Sequence, residues 1–329
     1  MTVFDTHAHV FLPGTMGACG AAGPELAGDG DAQQFRAGGF RFSGVRFRDS
    51  PMGDADLRLA LMDRLGIDRQ LLSPYPMVYF YDQPERDAIA FSRCHNDEMA
   101  ALVRRHPGRF AGAATLPMQA PDAAREELVR AVEELGLCAA YVGRRFGSRS
   151  LDDPDYAPLW RACERLKVPV FVHPGPMDGA LAADPQKWDM SLVLGFAADE
   201  TLAIAELVFG GVLDRHPGLT VVIPHGGGFA PYVRSRFEMA IDRRASCKGL
   251  IQRPLDAVWN QLVFDCLVHE RGTLEYLVRA HGASRVVLGT NFAAWDQDDH
   301  VIDELRALPV TAVERDAMLG GNALALLTR

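Results

Sequence analysis

The sequence predicts an α/β fold, a (β/α)8 TIM barrel with a long insertion after the first strand, and three observations carry that expectation. Eight short segments rich in β-branched and apolar residues recur along the 329-residue chain. Stretches with helical periodicity separate them, the alternation expected of strand–helix units on a parallel sheet. Histidines fall at the C-terminal ends of three of these segments, on the face where barrel enzymes place their chemistry.

Val3–His7 is the first expected strand. Residues 11–49 follow; they are rich in glycine, lack periodicity and are too many for an ordinary strand-to-helix connection, so they are read as an excursion that caps a site or makes an interface. The first helix is expected at Asp54–Leu65. Strand and helix then alternate, Gln70–Ser73 with Gln83–His106, Phe110–Leu116 with Pro121–Leu135, and Cys138–Val142 with Asp155–Leu166. The fifth strand, Pro169–His173, precedes a second long connection, 174–199, which carries Trp188 and leads to a helix at Thr201–Phe209. Leu219–Pro224 pairs with Pro231–Arg243, and Leu262–Cys266 with Gly272–His281. The eighth strand, Arg285–Thr290, runs into terminal helices around Val301–Leu308 and Thr311–Leu327. Such a barrel uses about 250 residues or more as one unit, so residues 1–329 are read as a single domain.

Composition narrows the function. The chain is 48% hydrophobic and 23% charged with a formal net charge of −9 and no long basic run, which argues against nucleic acid or an anionic membrane as partner. No apolar run has the roughly 18–20 residues that span a bilayer, and Met1–Val10 shows no basic-then-apolar signal, so a cytoplasmic protein is expected. Cys19, Cys94, Cys138, Cys163, Cys247 and Cys266 form no CxxC pair and are read as buried thiols.

The chemistry is expected from histidine. His7 and His9 are two apart on a strand, so both imidazoles project from one face, and two neutral imidazoles make half a metal site. His173 closes Val-Phe-Val-His and His225 follows Val-Val-Ile-Pro, each at a predicted strand end. His95, His106, His216, His281 and His300 lie in helical or surface segments and are read as ordinary structural residues.

These motifs, His7-Ala8-His9, His173-Pro174, His225-Gly226-Gly227-Gly228 and Leu288-Gly289-Thr290, together with the stretch Leu57–Asp63 and the run Phe209–Gly228, resemble the amidohydrolase superfamily. The resemblance is to the branch containing α-amino-β-carboxymuconate-ε-semialdehyde decarboxylase and related aromatic-acid decarboxylases. It implies that His7, His9 and His173 bind one divalent metal ion, zinc first and manganese second. It also implies that His225 acts beside the ion, and that Arg46, in Gly-Val-Arg-Phe-Arg, binds the substrate carboxylate, with Arg48 the competing choice. Arg236, eleven residues after His225, matches an arginine that family members send into a neighbouring subunit's site, so the resemblance implies a homodimer.

Asn291 departs from the pattern, standing where the family motif has aspartate. An amide offers a carbonyl oxygen to a metal but neither charge nor a proton-accepting carboxylate. Three explanations stay open: the enzyme dispenses with the carboxylate, an Asp-to-Asn change was made to stop turnover, or Asp296 substitutes for it. Trp188 and Phe292 are further candidates to line an aromatic pocket. Asp265 and His269 are candidates to orient a ligand from behind, and Gly226–Gly228 is read as backbone room beside the metal.

The expected function is non-oxidative decarboxylation of a small aromatic or muconate-type carboxylic acid, with Arg46 fixing a carboxylate and His225 handling the proton that replaces CO2. The alternative is hydrolysis or hydration of an ester, lactone, amide or C–C bond by metal-bound hydroxide, to which the missing carboxylate at 291 is more damaging. A non-catalytic binding protein is a third class, against which His7, His9 and His173 argue.

Overall fold

The computed structural model describes residues 1–44, 46–175, 189–294 and 296–328. Among these, eight parallel strands follow one another in chain order: β1 (Phe4–Val10), β2 (Arg69–Pro74), β3 (Phe110–Thr115), β4 (Ala139–Val142), β5 (Val170–Val172), β6 (Val221–Ile223), β7 (Leu262–Asp265) and β8 (Val286–Val287). Each falls within or overlaps a segment that its sequence predicts. The Thr6 N–H donates to the Leu288 carbonyl at 2.8 Å and the Phe292 N–H to the His7 carbonyl at 3.0 Å, so the eighth strand's end meets the first and the sheet curls into a barrel.

Around the barrel lie α1 (Ala55–Leu65), α2 (Glu85–Arg105), α3 (Pro121–Glu133), α4 (Ala157–Leu166), α5 (Phe196–Phe209), α6 (Ala230–Arg243), α7 (Arg271–His281) and α8 (Val301–Ala307). Their ends follow local chemistry. Asp54 caps α1 by accepting from the Asp56 and Leu57 N–H groups, and Gly66 ends it in the left-handed conformation that glycine adopts without penalty. Leu159, Trp160, Cys163 and Leu166 form the buried stripe of α4 at helical spacing. The single helix expected over 311–327 is instead interrupted by a wide turn at Ala317–Gly321, where Gly320 lies so close to the Thr2 carbonyl that a Cβ would sit 1.9 Å from it.

Two features of the fold set up the site. In β1 the pairing with β2 slips by one residue between Asp5 and Ala8, a bulge that re-aims the side chains around His7. The insertion is more ordered than its sequence suggests: Glu25–Ala27, Gln34–Ala37 and Phe40–Ser43 form a small antiparallel sheet. Its strands have three or four residues, too short for periodicity to register, and aromatic packing holds them. Phe35 stacks on Phe47 at 4.8 Å, and both rings reach Tyr75 just beyond β2, whose own ring is 6.1 Å from His9. The insertion therefore packs against the wall of the histidine cluster.

Candidate metal centre

His7, His9, His173 and His225 converge at the C-terminal mouth of the barrel. His7 lies 5.0, 5.2 and 5.1 Å, ring centre to ring centre, from His9, His173 and His225. His9 is 5.0 Å and His225 is 5.3 Å from His173. The first three are buried, and ligand atoms of His7, His173 and His225 lie within 4.8 Å of one another.

The second nitrogen of each ring determines what the first can do. His7 Nδ1 is 2.8 Å from Asp265 Oδ2, His9 Nδ1 is 3.0 Å from the Pro74 carbonyl, and His173 Nδ1 is 2.8 Å from the Pro174 carbonyl. A carbonyl and a carboxylate only accept, so each Nδ1 carries the proton and each Nε2 presents a lone pair. This is the arrangement that fixes the tautomer of metal-ligating imidazoles. The lone pairs of His7 Nε2 and His9 Nε2 thus face each other at 3.3 Å, which is repulsive unless a cation lies between them. The donor set fits a divalent ion on that ground. Burial, reinforced by the neighbouring imidazoles, pushes His9 and His173 well below the ordinary histidine value, which keeps them neutral.

A carboxylate network holds these ligands from behind. Asp265 also accepts from the Gly226 and Leu267 N–H groups, and Gly289 is glycine because a Cβ there would meet Asp265 Oδ2 at 2.7 Å. Asp5 accepts from the His7 N–H, from Gln70 and from both the N–H and hydroxyl of Thr290. Buried Arg58 of α1 bonds Gln70 and the His9 carbonyl, and burial pulls its guanidinium down to about 9. Tyr141 at the end of β4 stacks on His173 at 5.8 Å.

His225 differs from the other three. Its Nδ1 is 2.6 Å from Glu200 Oε1, with 18% of the imidazole and none of Glu200 exposed. Burial opposes protonation, yet the charge and hydrogen bond of Glu200 raise His225 to about 9. The sequence reading missed Glu200. The signal was its spacing, because Glu200 shares a stripe of α5 with buried Ala203, Ile204 and Leu207, where a carboxylate is out of place.

The other expected residues fare unevenly. Asn291 is buried at the rim, its amide nitrogen donating to Asp296 and its Oδ1 buried without a partner among the described residues. Arg46 stands outside the cluster: 52% of its side chain is exposed and its Nε donates to Asp31 at 2.8 Å, so the insertion's own acid engages it. Arg48, the competitor, is likewise engaged by Asp29 and the carbonyls of Leu26 and Gly28. Phe292 is fully buried behind the site under the Arg58 guanidinium, 4.9 Å away, and packs in the core rather than lining a pocket. Arg236 is exposed on α6. Trp188 lies outside the described residues. The Gly226–Gly228 run makes room for protein and not for a metal, since a Cβ on Gly228 would meet the Ala197 carbonyl at 2.1 Å.

Comparison with known proteins places this geometry. The amidohydrolase family model matches residues 4–329. The chain belongs to the amidohydrolase family. Among its relatives in that family is a 2-amino-3-carboxymuconate-6-semialdehyde decarboxylase of Dictyostelium discoideum, 34% identical over 284 residues, covering 85% of this chain and 78% of the relative. The crystal structure of a 2,6-dihydroxybenzoate decarboxylase from Rhizobium superposes with a TM-score of 0.77 at 27% identity, covering 99% of this chain and 98% of the other. A dihydroxybenzoic acid decarboxylase from Polaromonas sp. JS666, solved with bound manganese and 2-nitroresorcinol, shares the fold with a TM-score of 0.80 at 24% identity, covering 99% and 96%. Among the described residues, no helix of this amidohydrolase is long and apolar enough to cross a membrane.

Proposed function

We propose that this amidohydrolase is a metal-dependent, non-oxidative decarboxylase of a small aromatic or muconate-type carboxylic acid. The observation that carries the reading is the division of labour among the four imidazoles. Three have Nδ1 committed to an acceptor and Nε2 turned to the centre of the cluster. The fourth is held protonated by a buried carboxylate. The Dictyostelium and Rhizobium proteins described above are decarboxylases, which favours the same reading.

His7, His9 and His173 would hold the ion through Nε2, with Asn291 Oδ1 as a fourth donor; a nitrogen-rich set suits zinc first, with manganese the competitor. When bound, such an ion supplies Lewis acidity that stabilises negative charge left on the substrate. The chain does the rest. His225, with Nδ1 anchored on Glu200, delivers a proton from Nε2 to the carbon that loses CO2, and Glu200 stabilises the imidazolium before transfer. The C–C bond electrons stay on that carbon and take the proton, so the products are CO2 and the protonated acid-free compound. Tyr141 and Tyr75 wall the site and limit water. Hydrolysis fits less well, because Asn291 cannot accept the proton of an attacking water.

The six cysteines, three buried and three half-buried, form no disulfide among the described residues, which suits a reducing cytoplasm, the compartment we take. We also take the working form to be a homodimer in which exposed Arg236 serves the partner's site and binds the substrate carboxylate. Mixing a His9→Ala chain with an Arg236→Ala chain should then restore activity above both parents, in about half the sites of each mixed dimer. Absence of recovery after demonstrated subunit exchange would assign Arg236 to its own chain.

The test of the reaction is CO2 release from hydroxybenzoates and muconates by zinc- or manganese-loaded enzyme, run in D2O to follow label entry at the vacated carbon. One CO2 and one deuteron per turnover is the expected result. Ester, lactone or amide cleavage without CO2 would replace it with the hydrolytic reading.

A further inference from the structure

We propose that Asp296 is a positioning residue for the metal centre: it orients the Asn291 carboxamide so that Oδ1 is the donor, and it supplies, one hydrogen bond removed, the negative charge that the amide lacks. The inference rests on the metal reading above and concerns how a centre without the expected carboxylate keeps its ion.

A carboxylate has no proton to give, so the atom of Asn291 that faces Asp296 is the nitrogen and the oxygen is turned away. That oxygen is buried, in a residue only 5% exposed, and has no partner among the described residues. A buried acceptor left in this way calls for a donor or a cation. The backbone is built to hold the pair. Asn291 and Ala293 adopt left-handed conformations, with φ of 49° and 64°, which L residues keep only where surrounding contacts over-determine them. Those contacts are the Ala294 N–H to the Asn291 carbonyl at 3.0 Å, the Ala293 N–H to Gln297 Oε1 at 2.5 Å, and the Asp298 N–H to the Thr290 carbonyl at 3.0 Å. Thr290 is bonded in turn to Asp5, which also accepts from the His7 N–H, so a single carboxylate ties Asn291's strand end to a metal-ligand histidine. Asp296 is braced on its far side by His269, whose Nε2 is 3.5 Å from Oδ2.

Charge closes the argument. Three neutral imidazoles and an amide oxygen offer a dication no net negative charge. Asp265 behind His7 and Asp296 behind Asn291 each put one negative charge a single hydrogen bond from a donor, two against the ion's two. Asp296 thus restores indirectly what a carboxylate at position 291 would give by contact.

The test measures Zn2+ and Mn2+ dissociation constants on metal-stripped protein, by competition with a chromophoric chelator, for wild type, Asp296→Asn, the exchange variant Asn291→Asp with Asp296→Asn, and His173→Ala. Asp296→Asn should weaken binding by about 10- to 100-fold, the range for residues that orient a ligand from behind. The exchange variant, which moves the carboxylate inward and leaves an amide to donate to it, should recover most of that loss. Wild-type affinity in Asp296→Asn, or an exchange variant no tighter than Asp296→Asn, would overturn the proposal. The exchange variant keeps the same two side chains, so should Asp296→Asn alone fail to fold, near-wild-type affinity in it supports the proposal and a large loss overturns it. His173→Ala separates the two readings, since unchanged affinity there would defeat the metal centre itself.

Discussion

Wild-type chain is expected to bind one divalent ion per site, and His173→Ala to lose it, with affinity falling on the order of a thousandfold or more. The reason is local. His173 Nδ1 is committed to the Pro174 carbonyl, so the ring has no other use for its free nitrogen, and its loss leaves the His7 and His9 lone pairs without the third imidazole that completes the pocket. Elemental analysis after dialysis decides it, and equal metal in the two proteins would reject the assignment. The same ring carries a pH dependence. His9 and His173 are held well below their ordinary value of 6.5, so below about that pH the unfolded chain binds more protons than the folded one. Their contribution to stability is therefore complete above pH 6.5 and lost as the pH falls. Thermal unfolding of metal-free protein from pH 6.5 down to pH 5 should show a midpoint that falls more steeply in wild type than in His173→Ala.

His225→Asn should produce the opposite dissociation, full metal content with kcat lower by about 10²- to 10⁴-fold, the usual worth of a positioned proton donor. Asparagine keeps a polar group of similar reach but cannot carry the proton. Glu200→Gln removes only the charge that holds His225 up at about 9, so a smaller loss is expected, with the pH range of activity shifted downward as the imidazole releases its proton earlier. Loss of metal from His225→Asn would make that histidine a ligand and not the donor.

The barrel was legible because its strands alternate with helices at the right lengths and because strand-end histidines mark one face. All eight strands and most helix bounds follow from that alternation. The insertion was not legible as structure. Its strands are held by contacts among Phe35, Phe47 and Tyr75, which lie far apart along the chain, and no local period records such packing. At the site, the histidines were readable because residue type and strand position coincide. Arg58 was not, since a charged residue on a helix reads as solvated until the fold shows which face is covered, and the spacing of Glu200 went unread because its helix was expected to begin only at Thr201. Arg46 was assigned by resemblance alone, and in this chain its Nε donates to the exposed acid Asp31.

The way the barrel closes has a kinetic consequence. Thr6 bonds Leu288 across 282 residues of chain, and Thr290 bonds Asp5 across 285. Contacts of such separation form late, because loop-closure entropy is spent before they return anything. The Asp5 carboxylate that braces His7 receives the rest of its partners only when the eighth strand docks, so a ribosome-bound chain lacking residues 286–290 would hold three histidines in an unfinished frame. Metal uptake would then coincide with the last step of folding. Time-resolved refolding with a metal-sensitive dye should show ion capture tracking the slowest structural phase, and the ion, once seated, would slow reopening of the seam between the first strand and the eighth.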